Sequence, residues 1–130
     1  MARIQKFEEL EAWKKARDMG KAICRVTSTG SFSRDFGLRD QIRRARVSAM
    51  SNIAEGFERG GDKEFRQFLA VAKGSVGEVK SQLYVALDAG FLTAKAFDDL
   101  YALATETSRL IAGLMRYLKD SDFKGVKYKE

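Results

Sequence analysis

The chain has 130 residues, which is a typical size for one domain. Its 24 basic and 18 acidic side chains give a formal charge of +6, and this balance favours an anionic partner. Histidine is absent and there is one cysteine, which excludes His-based acid–base catalysis, His metal ligands, Ser–His or Cys–His nucleophile pairs and an intramolecular disulfide.

Four long segments with helical periodicity follow one another along the chain, separated by three short groups of helix-breaking residues. Ser33, Asp62 and Thr93 are candidate N-caps of the second, third and fourth helices, and Gly90 is a candidate C′ glycine. Short connections of this kind make sequential helices antiparallel neighbours. The breaks are residues 30–33, 59–62 and 90–93.

Each segment carries apolar or small residues at alternating spacings of three and four, which indicates a left-handed bundle. The sequence therefore predicts an all-α, antiparallel, up-down-up-down four-helix bundle over residues 1–118, followed by a basic tail over 119–130. The predicted inward stripes are Trp13, Ala16, Gly20, Ile23, Thr27; Leu38, Ile42, Ala45, Ala49, Asn52, Gly56; Phe65, Leu69, Ala72, Val76, Val79, Leu83, Ala86; and Phe97, Leu100, Ala104, Thr107, Ile111, Leu114, Leu118.

The second helix has a second apolar stripe, about 110–120° around its axis from the first. It consists of Val47, Met50, Ala54 and Phe57. One interpretation is a subunit interface, because methionine and phenylalanine are unusual residues to leave in water. The other is a wide core stripe.

Arginines dominate the first half of the same helix: Arg39, Arg43 and Arg46 share one face, and Arg44 points elsewhere. Three interpretations stay open for them, namely salt bridges across an interface, contacts to nucleic-acid phosphates, or a solvated face.

Asn52 falls on the core stripe, where an amide most often fixes register or oligomer state, with Ser75, Glu78 or Gln82 as potential partners. Two glycines inside the third helix, Gly74 and Gly77, indicate close approach to another helix rather than a phosphate loop.

The order of short motifs from Gly37 to Leu92 resembles a known protein family. Residues 37–45 read GLRDQIRRA and residues 51–56 read SNIAEG, with Glu64-Phe65 and a run beginning at Ala72 matching further blocks. The family is that of the four-helix bundle proteins encoded in intervening sequences of bacterial 23S rRNA genes, and it is similar to the accessory variability protein of diversity-generating retroelements.

This resemblance implies a four-helix bundle that assembles as a homopentamer. For the retroelement relative it also implies binding to nucleic acid and to a reverse transcriptase. The sequence departs from the family pattern where Ser33 and Met50 replace prolines, so the second helix should be straighter than in the family. Arg46 adds a positive charge to the arginine block.

Two functional hypotheses follow. The first is a homo-oligomer, pentameric by resemblance, that binds structured RNA or other nucleic acid through a basic surface. The second is an assembly scaffold whose partner is another protein, such as a reverse transcriptase. We expect no enzymatic activity and no cofactor or metal. With no signal-peptide pattern and no apolar run near the ~20 residues of a membrane span, we expect a cytoplasmic protein.

Overall fold

The computed structural model describes residues 4–121, and in that range it contains four α-helices and no β-strand. Two short 3₁₀ turns, Phe7–Glu9 and Ser31–Arg34, precede the first and second helices. The all-α prediction is therefore confirmed. None of the four helices, over the residues described, is long and apolar enough to cross a membrane. The helices are α1 (Glu11–Val26), α2 (Phe36–Arg59), α3 (Asp62–Asp88) and α4 (Ala94–Ser121).

The helices pack as a four-membered ring in chain order. α2 and α4 each contact both α1 and α3, and the α2–α3 contact is the most extensive. Every residue of the predicted α3 stripe is buried, and in α4 only Leu114 of the predicted stripe is partly exposed. The alternating three and four spacing predicted these faces correctly, because it keeps one side of each helix turned toward the shared core.

The start of α2 is capped by a different residue from the one predicted. The Asp35 carboxylate accepts a hydrogen bond from the Leu38 N–H at 3.0 Å, whereas the Ser33 hydroxyl donates to the Gly30 carbonyl at 2.6 Å within the 3₁₀ turn. Ser33 is therefore not the N-cap. The extra turn over Ser31–Arg34 buries Phe32 and delays the start of the helix.

The other helix ends lie close to their predictions. Gly61 is the N-cap of α3, so Asp62 is its first helical residue rather than its cap. The Thr93 hydroxyl accepts from the Ala96 N–H at 3.1 Å, as an N-cap does. Gly90 has φ +79°, and its N–H donates to the Leu87 carbonyl at 3.0 Å. With the bond from the Phe91 N–H to the carbonyl of residue 86, this is a Schellman motif.

Close helix approach occurs at Gly56 and not at the two glycines that were predicted. A Cβ atom placed on Gly56 would lie 2.7 Å from the Phe68 Cβ and 2.8 Å from the Phe65 ring. Gly74 and Gly77 have nothing within 4 Å of that position, so the prediction of close contact there is wrong. Gly56 thus provides the space for the α3 aromatics, in agreement with a small-against-large arrangement of the α2 and α3 stripes.

α4 continues past the predicted end of the bundle at residue 118. Lys119 and Asp120, assigned from the sequence to the basic tail, lie in the last turn of the helix. Leu118 is buried and anchors this turn against the core. The rest of the predicted tail, residues 122–130, lies outside the described residues.

Candidate nucleic-acid interface

Two of the four arginines predicted to contact phosphate use their guanidinium groups within the chain. Arg39 donates to the Ser33 carbonyl at 3.1 Å and pairs with the Asp40 carboxylate at 3.1 Å. Arg43 donates to the Thr27 hydroxyl at 2.8 Å and to the Ser28 hydroxyl at 3.2 Å. These bonds join the first half of α2 to the preceding 3₁₀ turn and to the end of α1.

The other two arginines extend from α2 toward different neighbouring helices. Arg46 packs toward α1, where its Cδ lies 3.6 Å from an ideal Cβ on Gly20, and its Nε is buried without a hydrogen-bond partner. Arg44 is exposed and lines a polar groove between α2 and α3 together with Ser48, Glu78 and Gln82. Arg43, Arg44 and Arg46 nevertheless line one shallow concavity on α2 together with Asp40 and Val47, whereas Arg39 lies outside it. Arg44 is the one exposed residue among the four arginines.

A second cationic surface, which was not predicted from the sequence, lies between α3 and α4. We call it the α3–α4 groove. It has a volume of about 410 Å³, and Ala112 and Met115 form the apolar part of its lining. Its basic lining residues are Arg66, Lys73, Arg116 and Lys119.

These four cations have no neutralising partner among residues 4–121, where every ion pair formed involves other basic residues. Arg66 also holds its Nε buried without a hydrogen-bond partner. Arg59 differs from these four cations. The Glu55 carboxylate, 2.9 Å from its Nη2, and the nearby Glu64 raise the pKa of Arg59, and their negative charges balance the positive charge of its guanidinium group. Charge in the α3–α4 groove is thus available to an external anion.

The seven-residue spacing of Arg66 and Lys73 is the sequence signal for this groove. Residues seven apart return to nearly the same side of a helix, so both side chains lie on the flank of α3 that faces α4. The signal becomes specific only when α4 adds Arg116 and Lys119 from about 50 residues away in sequence, and that pairing depends on tertiary packing.

The predicted interface stripe on α2 is shorter than the sequence indicated. Phe57 is fully buried, with its ring centroid 6.1 Å from that of Phe65, so it belongs to the core. The core stripe steps from Ala49 to Ile53 and then to Phe57, in steps of four, and widens at this end of the helix. Val47 is 47% exposed.

Met50 and Ala54, the remaining members of that stripe, are partly buried. Met50 packs toward α1, since its sulfur lies 3.6 Å from an ideal Cβ on Gly20. Val47 is therefore the member most open to a partner.

Asn52 lies beside the core rather than in it, because Ile53 takes the buried position. Its amide donates to the Ser48 carbonyl at 2.8 Å and to the Ser48 hydroxyl at 3.1 Å. The Ser48 and Ser75 hydroxyls are 2.8 Å apart, and the Ser75 hydroxyl can also donate to the Val71 carbonyl at 3.2 Å. Either serine can donate to the other, and the pair joins Asn52 and Ser48 of α2 to Ser75 of α3.

Of the partners considered for Asn52, Ser75 is therefore reached indirectly, through Ser48. Gln82 does not take part in these hydrogen bonds, and its Oε1 atom is buried without a hydrogen-bond partner. Within the described range, no group of three or more Cys, Asp or Glu side chains could hold a metal ion.

Comparison with known proteins gives a family and a structural relative. Residues 8–113 match the family model described as 23S rRNA-intervening sequence protein. A search of curated proteins found no match. One similar solved structure, at 1.70 Å resolution, is a protein of unknown function from the S23 ribosomal protein family of Bacteroides thetaiotaomicron VPI-5482. It is 18% identical, with a TM-score of 0.75 over 81% of this chain and 95% of that chain. At this identity the likeness concerns the fold.

Proposed function

Because the chain belongs to the family of 23S rRNA-intervening sequence proteins, we propose that it is a non-enzymatic homo-oligomer that binds structured RNA or other nucleic acid. The assembly implied by the family resemblance is a pentamer, and the proposed compartment is the cytoplasm. The observation that carries the binding role is the α3–α4 groove, whose four cations are not neutralised by any carboxylate among the described residues.

The proposed mechanism is phosphate binding with release of condensed counterions. Lysine and arginine side chains that neutralise phosphates release bound cations from the nucleic acid, and this gain dominates sequence-independent affinity. Each subunit contributes a formal charge of +6, so an oligomer multiplies the attraction. Arg44 is exposed on another face and is the member of the α2 arginine group best able to add a phosphate contact.

The test is to measure affinity for a structured RNA and a DNA duplex by fluorescence anisotropy across a salt series. The variant Lys73→Gln/Arg116→Gln removes two charges from the α3–α4 groove. Its matched control, Lys21→Gln/Arg25→Gln, removes one lysine and one arginine charge from exposed positions on α1. Arg44→Ala tests the α2 contribution.

We expect wild-type affinity to fall steeply with salt, and the groove variant to flatten the log–log slope by about 1.8 on duplex DNA, since each lost contact contributes about 0.9. The control variant should keep a slope close to wild type. Absence of wild-type binding at salt concentrations in the tens of millimolar would exclude the nucleic-acid role.

The second candidate is an assembly scaffold that binds another protein, for which a reverse transcriptase is the partner implied by the family resemblance. It is favoured by Val47, an apolar side chain left 47% exposed beside Arg44 on α2. A scaffold of this kind would oligomerise without binding RNA, so measuring both properties on one sample separates the two candidates.

A further inference from the structure

The α3–α4 face combines cations with an exposed aromatic cluster, and the two lie on the same flank of α3. Lys80 follows Arg66 and Lys73 at the same seven-residue spacing, which corresponds to a repeat of about 10.5 Å along the helix. The Lys80 ammonium lies 5.0 Å from the ring centroid of Tyr101 on α4. The cationic row therefore runs from the α3–α4 groove to an aromatic pair.

That pair is Tyr84 and Tyr101, and we call it the tyrosine platform. The Tyr84 side chain is 50% exposed. Its ring is braced edge-on by Tyr101, with centroids 5.7 Å apart, and tilted against Phe97 at 4.9 Å. Phe97 is in turn stacked on Tyr101 at 5.4 Å. An exposed ring held by two others is already ordered, so a ligand that stacks on it has little side-chain entropy to remove.

From this arrangement we infer that the α3–α4 face binds an unpaired nucleic-acid strand, with its phosphates along the cationic row and a base stacked on the tyrosine platform. Proteins that bind single strands without sequence preference combine a basic groove with aromatic side chains, because every base has a π face. A duplex offers its backbone to the same surface but no free base face to the tyrosine platform, since its bases are stacked on one another. The inference rests on the proposed function and identifies the unpaired segments of a structured RNA as the part that is bound.

The strand's path is defined by the residues that could bind it at its two ends. At one end, Arg66 and Lys119 also line an adjoining concavity, where the Glu64 carboxylate already pairs with Arg59. At the other end, the tyrosine platform follows Lys80 by one turn of α3. The favourable path therefore runs from Arg66 to Tyr84.

The experiment compares affinity for a single-stranded RNA, an RNA duplex of the same length and poly-glutamate, all at fixed low salt. Tyr84→Ala removes the exposed ring and Tyr84→Phe retains it, whereas Phe36→Ala removes another exposed aromatic ring, from α2. We expect Tyr84→Ala to lose at least about five-fold in single-strand affinity, with duplex affinity unchanged. Tyr84→Phe and Phe36→Ala should bind the single strand like wild type.

A second measurement uses the unaltered protein, so it does not depend on how the variants fold. Single-stranded RNA carrying 5-iodouridine is photocrosslinked, and the adduct is located by mass spectrometry. We expect crosslinks at Tyr84 or Tyr101. Crosslinks confined to α1 or α2 would overturn the inference.

The outcomes separate the inference from the function it rests on. If Lys73→Gln/Arg116→Gln weakens single-strand and duplex binding alike while Tyr84→Ala changes neither, the nucleic-acid role stands and the single-strand assignment is wrong. Tighter binding of poly-glutamate than of RNA would assign the face to an acidic protein segment and overturn the inference. If wild type binds no nucleic acid at all, the proposed function itself fails.

Discussion

Glycines in this bundle have opposite roles that depend on what lies opposite them. Gly56 faces the Phe65 and Phe68 side chains at a distance too short for a methyl group, whereas Gly74 faces open space. The Phe68 Cβ is attached directly to the backbone and cannot rotate away. Of these two positions in helix interiors, one therefore requires glycine and the other does not.

We predict that Gly56→Ala destabilises the protein and that Gly74→Ala stabilises it. Overpacking at Gly56 should cost about 1–3 kcal/mol and exceed the gain in helix propensity. At Gly74 the propensity gain of up to about 1 kcal/mol is unopposed. Urea unfolding followed by circular dichroism measures both, and equal stabilisation by the two substitutions would contradict the packing at Gly56.

Glu9 gives the N-terminal 3₁₀ turn a pH-dependent contribution to stability. Its carboxylate accepts from the Gln5 N–H at 2.8 Å and the Lys6 N–H at 3.3 Å, and these bonds, that from Gln5 first, lower the pKa of Glu9. A lowered folded-state pKa means that the unfolded chain binds the proton more tightly. The stabilisation is therefore complete above the unfolded pKa and is lost as the pH falls through the folded value.

We accordingly predict that Glu9→Gln is less stable than wild type at pH 7, and that the difference shrinks as the pH falls below the usual glutamate pKa of about 4.3. The measurement is the urea midpoint of both proteins across that range. A difference independent of pH would show that the carboxylate charge does not contribute.

Asn52 and Phe57 show that sequence periodicity does not decide which of two neighbouring residues enters the core. Both were assigned from an ideal helical repeat, and neither lies where that repeat placed it, because the α2 core stripe ends with three steps of four, from Ala45 to Phe57. A shift of one residue turns the side chain by about 100°. Which residue enters the core is therefore decided by the opposing surface, here the aromatic residues of α3.

At the scale of helices, existence and type were predictable and the ends were less so. The periodic faces of α3 and α4 extend over many turns, so single misassigned residues do not disturb them. The start of α2 depends on Asp35 adopting a capping geometry after a 3₁₀ turn, and this turn has no hydrophobic period to indicate it.

The cap makes a direct prediction: Asp35→Ala should destabilise the protein by about 0.5–2 kcal/mol, because the Leu38 N–H loses its acceptor. Ser33→Ala is the matched control, since Ser33 is the neighbouring candidate and its hydroxyl serves only the exposed turn. Thermal unfolding of the two variants decides between them. A larger loss of stability in Ser33→Ala would show that Ser33 is the N-cap of α2, as predicted from the sequence.

On the scale of the whole molecule, charge is distributed by packing rather than by sequence neighbourhood. In the most arginine-rich stretch of the chain, which lies in α2, most of the arginine side chains contact α1 or the adjacent turns. The α3–α4 groove instead combines residues from two helices, none of which belongs to a conspicuous basic run. Sequence alone predicted that a basic surface exists, but the side that carries it follows from which helices are neighbours.

The proposed oligomer can be tested at Val47 without disturbing the core. We predict that Val47→Glu dissociates the assembly while the subunit stays folded, because this side chain is exposed in the single subunit and would be buried against a partner. Sedimentation equilibrium should show wild type at several times 14.6 kDa and the variant near that mass.

Met50→Glu is the informative companion. It places a charge against Gly20 of α1, so it should also lower the unfolding midpoint, which Val47→Glu should not. A wild-type protein that sediments as a monomer would exclude the interface altogether.

The tight pairing of α2 with α3 also has a consequence for how the chain folds. These two helices share the most extensive contact in the bundle and are connected only through Gly60 and Gly61. Closing so short a connection costs little entropy, and contacts between sequence neighbours form faster than distant ones. The α2–α3 hairpin should therefore be ordered early in the folding transition state. The contact between α1 and α4, whose residues are farthest apart in sequence, should form last. Weakening that contact should therefore accelerate unfolding and leave the refolding rate nearly unchanged in stopped-flow measurements.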